Sequence, residues 1–310
     1  MLPNDDTPAI ELDRLTKRYG AARGIDEVSF RVPAQTIFGF IGPNGAGKTT
    51  TIRILLGLIA PSAGAARVFG RDVATEGAAA RAHIGYVPGE AHFYPRQSAG
   101  ALLAYLGCFH PGDHAAHRRE LAAQLELDLG RRADDLSLGN RKKVGVIAAL
   151  QHRPRLIVLD EPSNGLDPVI RARLHELLRD EVARGATVLL SSHELAEVQA
   201  VCRGVAVLRE GRVVAVGDVE TLRGREVRHV RAAFARPEAA GLAAAELERL
   251  AGLAGLARDG AVVRFLYDGP APALLAALAA AAPVDVCINE PSLEEIFLRY
   301  YAPRPEVAHA

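Results

Sequence analysis

Residues 42–50, GPNGAGKTT, carry the strongest chemical signal in the sequence. They fit the pattern G-x-x-x-x-G-K-[ST], in which glycines let backbone N–H groups close around nucleotide phosphates. Lys48 would supply a positive charge, Thr49 a hydroxyl for Mg²⁺, and the helix start a partial positive charge. The segment therefore predicts a nucleotide phosphate site. Its residues are Gly42, Pro43, Asn44, Gly45, Ala46, Gly47, Lys48, Thr49 and Thr50.

Two adjacent carboxylates follow a later apolar run in LIVLDEPSNGLDP, residues 156–168. Asp160, at the end of a predicted buried strand, could hold Mg²⁺ directly or through water. Glu161 could accept a proton from an attacking water molecule. An acidic loop after a strand would carry no function by itself. Its position downstream of a phosphate loop favours a catalytic role.

Two further side chains are ambiguous on their own. His193 follows the predicted strand TVLLSS, at the carboxyl end where α/β sheets place their sites. A single histidine is more often structural, but this position favours a contact to the γ-phosphate or to the attacking water. Tyr19 lies near an early turn, where an aromatic side chain is more often part of the core.

The segment DDLSLGNRKKVGV, residues 134–146, allows two interpretations. Arg141, Lys142 and Lys143 could form a basic patch for nucleic acid, or Ser137 and Gly139 could open a helix that binds an anion. The 37 basic residues of the chain balance 37 acidic ones, which argues against a nucleic-acid partner. We therefore interpret the three basic residues as ordinary positions on a helix.

The order of predicted elements indicates how these residues are positioned. Residues 9–41 alternate like short antiparallel strands and run into a buried strand before the phosphate loop, and a helix follows from Lys48 to about Leu58. Residues 91–130 show helical spacing, and strands then alternate with helices, which predicts an α/β fold with a parallel sheet. A composition change separates residues 8–222 from a small α+β domain at 225–302, which ends in a predicted helix at 291–301.

Taken together, the motifs resemble those of an ATP-binding cassette (ABC) transporter ATPase. They occur in that family's order, and the similarity covers about residues 8–220. The resemblance implies a P-loop NTPase core with an antiparallel β subdomain and a helical subdomain at about 91–150. It also implies ATP hydrolysis, with ATP and Mg²⁺ as the bound ligands.

The resemblance also implies roles for individual residues. Tyr19 would stack on adenine, Lys48, Glu161 and His193 would be catalytic, and Thr49 and Asp160 would bind the metal. The family signature would bind the γ-phosphate of ATP held by a second subunit, so two subunits would close head to tail. The signature consists of Ser137, Leu138, Gly139 and Asn140. The loop facing the second subunit consists of Ser163, Asn164, Gly165, Leu166 and Asp167.

The sequence departs from the family pattern at two sites. The signature has Leu138 where Gly is usual and Asn140 where Gln is usual. Gly89 stands where members carry a Gln that contacts Mg²⁺ and relays closure to the membrane subunit, and Glu90 follows it. Two alternatives stay open, namely that Glu90 takes the metal role with a shift of one residue, or that the contact is missing.

The sequence predicts a membrane partner on a separate chain. It has no signal peptide and no run of about 18 apolar residues. We expect a subunit on the cytoplasmic face of a bacterial membrane, as a homodimer bound to an integral-membrane permease. The ending EPSLEEIFLRYY resembles type-2 exporters, among which drug or antibiotic export is favoured. The alternative is a non-transport ABC ATPase that acts on DNA or the ribosome.

Overall fold

A computed structural model of the chain describes residues 7–20, 22–90, 93, 96–219 and 227–289. The chain divides into two compact units, residues 1–219 and 220–310, and each is described by itself. The larger unit contains both the phosphate loop and the two adjacent carboxylates.

The main sheet of the larger unit has six strands in the order β10-β9-β3-β8-β7-β6. Neighbouring strands from β9 to β6 are parallel, and β10 is antiparallel to β9. Every residue of β3, β7 and β8 is buried, as expected for strands covered on both faces. The predicted α/β class is therefore confirmed. The strands are β3 Ile37–Ile41, β6 Ile84–Val87, β7 Leu156–Asp160, β8 Thr187–Ser192, β9 Gly204–Arg209 and β10 Arg212–Asp218.

A second, antiparallel sheet has the order β2-β1-β4-β5. Its apolar residues join those of the main sheet in one buried core, in which Phe30 of β2 stacks on Phe38 of β3 with ring centroids 5.9 Å apart. This is the predicted antiparallel β subdomain. The strands are β1 Ile10–Tyr19, β2 Ala22–Val32, β4 Ala63–Val68 and β5 Arg71–Asp72.

Helix α1 is shorter than predicted. It begins at Lys48 and ends at Leu55, not near Leu58. Gly57 adopts φ 65°, and the N–H of Leu58 donates to the carbonyl of Arg53 at 2.8 Å. A left-handed glycine with such a bond closes the end of a helix. The helix therefore terminates before the apolar pattern does.

Helices fill the connection between β6 and β7. Ser98 caps the first of them by accepting a hydrogen bond from the Ala101 N–H at 3.2 Å, and the last of them packs on β6. These helices are α3 Ala99–Gly107, α4 Ala115–Gln124 and α5 Leu138–Leu150. The unit also contains α2 Gly77–Arg81, α6 Pro168–Ala183 and α7 Leu195–Val201.

The smaller unit is an α+β fold with the order β-α-β-β-α-β. Its antiparallel sheet has the strand order β12-β13-β11-β14, which is the ferredoxin-like arrangement. Strand β12 was not predicted, because it is mostly exposed and shows no alternation. The predicted helix at 291–301 lies outside the described residues. The elements are β11 Val227–Ala233, α8 Pro237–Leu247, β12 Leu253–Asp259, β13 Val262–Asp268, α9 Ala271–Ala281 and β14 Asp285–Asn289.

Candidate nucleotide site

The phosphate loop connects β3 to α1 at the carboxyl edge of the main sheet. Gly47, which directly precedes α1, has φ 107°, and a Cβ there would lie 2.5 Å from Cγ2 of Ile25. Glycine is therefore required at this position. The Lys48 ammonium is 5% exposed and donates to the carbonyls of Gly42 at 2.7 Å and Pro43 at 3.3 Å. Its charge and the start of α1 face the same loop, which suits a phosphate anion.

Asp160 is buried beside this loop. Its Oδ2 accepts a hydrogen bond from the Thr49 hydroxyl at 3.0 Å, and its Oδ1 accepts one from the Ser191 hydroxyl at 2.6 Å. The strand end and the helix start thus place one carboxylate and one hydroxyl together. Mg²⁺ is commonly held by such oxygen atoms together with substrate phosphates, so these residues fit that ion.

Glu161 turns away from the line of its strand. Its φ is 50°, and its N–H donates to the carbonyl of Ser191 at 3.1 Å. Consecutive side chains of a continuing strand point to opposite faces, and the turn at Glu161 ends that alternation. Its Oε1 lies 3.4 Å from the Lys48 ammonium, and its Oε2 lies 3.3 Å from Nδ1 of His193. The structure therefore brings the three predicted catalytic residues together.

The surroundings of Glu161 favour its charged form. Burial raises the pKa of this carboxyl, but the hydrogen bond from Asn164 at 2.7 Å and the charges of Lys48 and His193 outweigh burial. The pKa of Glu161 thus lies below its ordinary value. A carboxylate that stays ionised can accept a hydrogen bond from water near the phosphate loop.

The signature segment lies against the loop after Glu161. Ser137 caps α5 by accepting a hydrogen bond from the Asn140 N–H at 3.3 Å. Leu138 is 64% exposed. A Cβ added to Gly165 would lie 3.0 Å from Cδ2 of Leu138. Residues 137–140 and 165–167 line an open pocket of about 370 Å³ together with Lys143. The two segments expected to face a second subunit are therefore neighbours.

Lys142 and Lys143 lie on a helix, as predicted, but their side chains are buried, which was not predicted. They are only 3% and 9% exposed. The Lys142 ammonium donates to the carbonyl of Gly89 at 2.6 Å, while the Lys143 ammonium donates to that of Glu126 at 3.5 Å. Both amines face the protein, because their helix is buried along most of its length. Of the three basic residues, Arg141 alone is exposed.

Gly89 lies next to Asp160, whereas the Glu90 side chain is exposed. A Cβ built on Gly89 would lie 3.9 Å from Oδ2 of Asp160, so the backbone of Gly89 is next to that carboxylate. Glu90 is exposed, and its charge favours the cationic form of Lys142. The metal role considered for Glu90 stays a prediction.

Tyr19 lies at the end of β1, with 47% of its surface exposed. Gly24 lies between the Tyr19 ring and the phosphate loop. A Cβ on Gly24 would lie 3.0 Å from Cε2 of Tyr19, and a Cβ on Gly47 would lie 3.2 Å from the Gly24 carbonyl oxygen. An exposed ring next to the phosphate loop can stack on a base.

A buried network behind the site was not predicted from the sequence. Glu197 of α7 is 4% exposed and accepts a very short hydrogen bond from Ser163, and Nε2 of His175 lies 3.6 Å away. Burial raises the pKa of Glu197, but its interactions with His175, Ser163 and Ser192 outweigh burial and lower it. The network ties the loop after Glu161 to the residue before His193.

Comparison with known proteins identifies the family. The chain is 37% identical over 225 residues to the Nod factor export ATP-binding protein I of Paraburkholderia xenovorans, and the match covers 71% of this chain and 74% of the relative. The chain belongs to the ABC transporter ATP-binding proteins. The ABC transporter family matches residues 25–164. An ABC transporter ATP-binding protein of Bacillus subtilis, YhaQ, is 33% identical over 69% of this chain and 72% of its own length.

Solved structures of ABC transporter subunits have the same fold. An ATP-binding subunit of an ABC transporter superimposes with a TM-score of 0.64 at 30% identity, covering 69% of this chain and 92% of that one. A subunit of an ABC transporter complex from Clostridium perfringens gives 0.61 at 22% identity, covering 71% and 92%. The predicted P-loop ABC ATPase fold is confirmed.

Membership of the ABC transporter ATP-binding proteins establishes the activity at a coarse level. These proteins bind and hydrolyse ATP to power transport, and they work with a membrane permease. Transport is thereby favoured over the alternative of an ABC ATPase that acts on DNA or the ribosome. Within the part of the chain that the structure describes, no helix is long and apolar enough to cross a bilayer.

Proposed function

We propose that this ABC ATPase powers export through a separate integral-membrane permease, at the cytoplasmic face of a bacterial membrane. Export rather than import is supported by the relatives that are named for Nod factor export. We further propose cargo of the drug or antibiotic class, which rests on the resemblance of the chain's ending to type-2 exporters. The observation that carries ATP hydrolysis is the contact of Glu161 with both Lys48 and His193.

In the proposed nucleotide complex, Tyr19 stacks on adenine and the backbone of residues 42–50 surrounds the phosphates. Lys48 moves its charge from Glu161 and the loop carbonyls to the β- and γ-phosphates. Asp160 and Thr49 would hold Mg²⁺, which neutralises phosphate charge when it is bound. The residues of this site therefore position the terminal phosphate at the end of β7.

Glu161 is the proposed general base. Once Lys48 pairs with phosphate, the Glu161 carboxylate is free to orient a water molecule in line with the γ-phosphate and to accept its proton. His193, 3.3 Å from Oε2 of Glu161, contacts the γ-phosphate or that water. The two side chains therefore act next to each other at the same reacting atoms.

A second copy of the chain would complete each site. The pocket between residues 137–140 and 165–167 opens at the start of α5, where Ser137 and the helix N–H groups suit the γ-phosphate of ATP held by the other subunit. We propose a head-to-tail homodimer with two ATP molecules. Leu138 then contributes an apolar side chain where the family pattern has glycine.

The Glu161→Gln variant tests the proposed base. We expect hydrolysis to fall by about 100-fold or more, because an amide cannot take the proton. ATP binding should persist and the variant should accumulate as an ATP-bound dimer in light scattering. Glu176→Gln is the matched control, since Glu176 is an exposed carboxylate on α6. Hydrolysis at the wild-type rate by Glu161→Gln would contradict the assignment.

The Ser137→Arg variant tests the second subunit's contribution. We expect it to bind ATP as the wild type does but to lose both dimer formation and hydrolysis. Export itself is tested by reconstituting the chain with a candidate integral-membrane permease and measuring ATP-dependent uptake into inverted vesicles. Stimulation by drug-like amphiphiles supports the proposed cargo, and stimulation by polysaccharides alone contradicts it.

A further inference from the structure

Lys142 connects the signature helix to the loop that follows β6. The side chain begins on α5, whose cap is Ser137, and it is 3% exposed. Its ammonium donates to the carbonyls of Gly89 at 2.6 Å and Pro88 at 3.3 Å. Two backbone carbonyls are thus held by one buried cation.

The loop held by Lys142 lies beside Asp160. A Cβ built on Gly89 would contact the backbone oxygen of Asp160 at 3.7 Å and its Oδ2 at 3.9 Å. That Oδ2 also accepts a hydrogen bond from the Thr49 hydroxyl. A displacement of the Gly89 backbone would therefore change the surroundings of Oδ2, the Asp160 oxygen that is bonded to the phosphate loop.

The charge of Lys142 belongs to the same electrostatic region. Burial lowers the pKa of this amine, while the carboxylates of Asp160, Glu161, Glu90 and Glu197 favour its charged form. The ammonium thus attracts α5 toward the acidic edge of the sheet. A neutral side chain of the same size would fill the space but would lose both this attraction and the two carbonyl bonds.

We propose that Lys142 is a positioning residue for ATP hydrolysis, which fixes the backbone of residues 88–89 beside Asp160 and so connects Ser137 to the carboxylate edge. This inference rests on the proposed roles of Asp160 and Ser137. A phosphate bound at the start of α5 would be connected, through Lys142, to the loop beside Asp160. When the signature of one subunit binds the other subunit's ATP, the geometry of the hydrolytic site in the first subunit is thereby affected.

The test compares Lys142→Met and Lys142→Arg in the full chain with Gln151→Met as control. Gln151 is 1% exposed at the other end of α5 and donates to the carbonyl of Leu103 at 3.0 Å, so it is a buried donor of the same kind away from the site. The measurements are kcat, KM for ATP, the Mg²⁺ concentration for half-maximal rate, thermal stability, and binding of a fluorescent ATP analogue with and without Mg²⁺.

We expect Lys142→Met to lower kcat by about ten-fold or more, as loss of an outer partner of a metal site does. KM for ATP should stay within about two-fold, because the phosphate loop is unchanged. The variant should need more Mg²⁺ and should lose the Mg²⁺-dependent part of analogue binding. Lys142→Arg should retain most of kcat, and Gln151→Met should lower thermal stability alone.

Two results would overturn the inference. One is a Lys142→Met enzyme that loses thermal stability like Gln151→Met but keeps kcat and the Mg²⁺ dependence. The other is equal loss in Lys142→Arg and Lys142→Met, which would mean that the positive charge does not account for the effect. If Lys142→Met does not fold, Lys142→Gln, which keeps amide N–H donors without the charge, tests the charge alone against the same control. Asp160→Asn separates the two proposals, because wild-type activity in that variant contradicts the proposed site itself.

Discussion

The hydroxyl of Ser191 lies 2.6 Å from Oδ1 of Asp160, and this contact joins the ends of β7 and β8. Both side chains are buried. Since Thr49 donates to the other oxygen, the carboxylate is oriented from the neighbouring strand and from the phosphate loop at once. The orientation of Asp160 is therefore set by two hydroxyls that are distant in sequence.

Removal of the Ser191 hydroxyl should leave the Asp160 carboxylate less firmly oriented. We expect Ser191→Ala to raise the Mg²⁺ concentration for half-maximal ATP hydrolysis by about ten-fold, because outer partners orient metal ligands. Ser98→Ala is the control, since its loss of a helix cap should cost about 1 kcal/mol of stability without affecting Mg²⁺. An unchanged Mg²⁺ titration for Ser191→Ala would contradict the role given to this contact.

The ring of Tyr19 should contribute to ATP affinity through stacking alone. Stacking of a base on an aromatic ring contributes about 1–3 kcal/mol, so we expect Tyr19→Ala to raise the Kd for ATP by about five-fold or more. Tyr19→Phe, which keeps the ring, should bind like the wild type. Titration with a fluorescent nucleotide measures both. Equal loss in the two variants would point to the hydroxyl instead.

A glutamine should fit at position 89. A Cβ there would make ordinary contacts, at 3.7 and 3.9 Å from Asp160 atoms, and Gly89 does not have a positive φ. We therefore expect Gly89→Gln to change stability by no more than about 0.5 kcal/mol. Its amide should lower the Mg²⁺ requirement of hydrolysis. A large fall in melting temperature would show that the loop needs glycine.

His152 should make the protein sensitive to acid. Burial, with contributions from His110 and His114, lowers the pKa of His152 to about 4, and its ring stacks on that of His110 with centroids 3.6 Å apart. In the unfolded chain His152 would bind a proton near pH 6.5, whereas in the folded protein it stays neutral until the pH approaches 4. The stability that the neutral ring provides is thus complete above pH 6.5 and is lost as the pH falls toward 4.

The His152→Phe variant tests this dependence. We expect its melting temperature to fall less than that of the wild type between pH 7.5 and 5.5, because phenylalanine takes up no proton. His110→Phe should act in the same direction, since burial also lowers the pKa of His110. Parallel losses of melting temperature in all three proteins would contradict the assignment.

Local sequence patterns were sufficient for part of the site. The loop at residues 42–50 and the carboxylates after β7 could be predicted, because each pattern is contained in one strand–turn segment. The contacts of Asp160 with Thr49 and Ser191 follow from the parallel sheet, whose strand ends meet at one edge.

The inward direction of Lys142 was missed because a lysine is rarely buried. A signal was nevertheless present, since the run VGVIAAL at 144–150 has no charged residue and leaves α5 almost without a polar face. A helix that is apolar on all sides is buried. The role of Glu197 had no such signal, because its contacts with Ser163 and His175 depend on how three separate segments pack.

The pairing of β3 has a consequence for biosynthesis. This strand carries the phosphate loop, yet its two neighbours are β8, where Ile37 pairs with Val188, and β9, where Phe38 pairs with Gly204. When β3 leaves the ribosome, neither strand that pairs with it has been made, so its backbone cannot yet join the main sheet. ATP thus gains a binding site only after β9 has emerged, so the nucleotide can stabilise the finished unit but cannot guide its early folding.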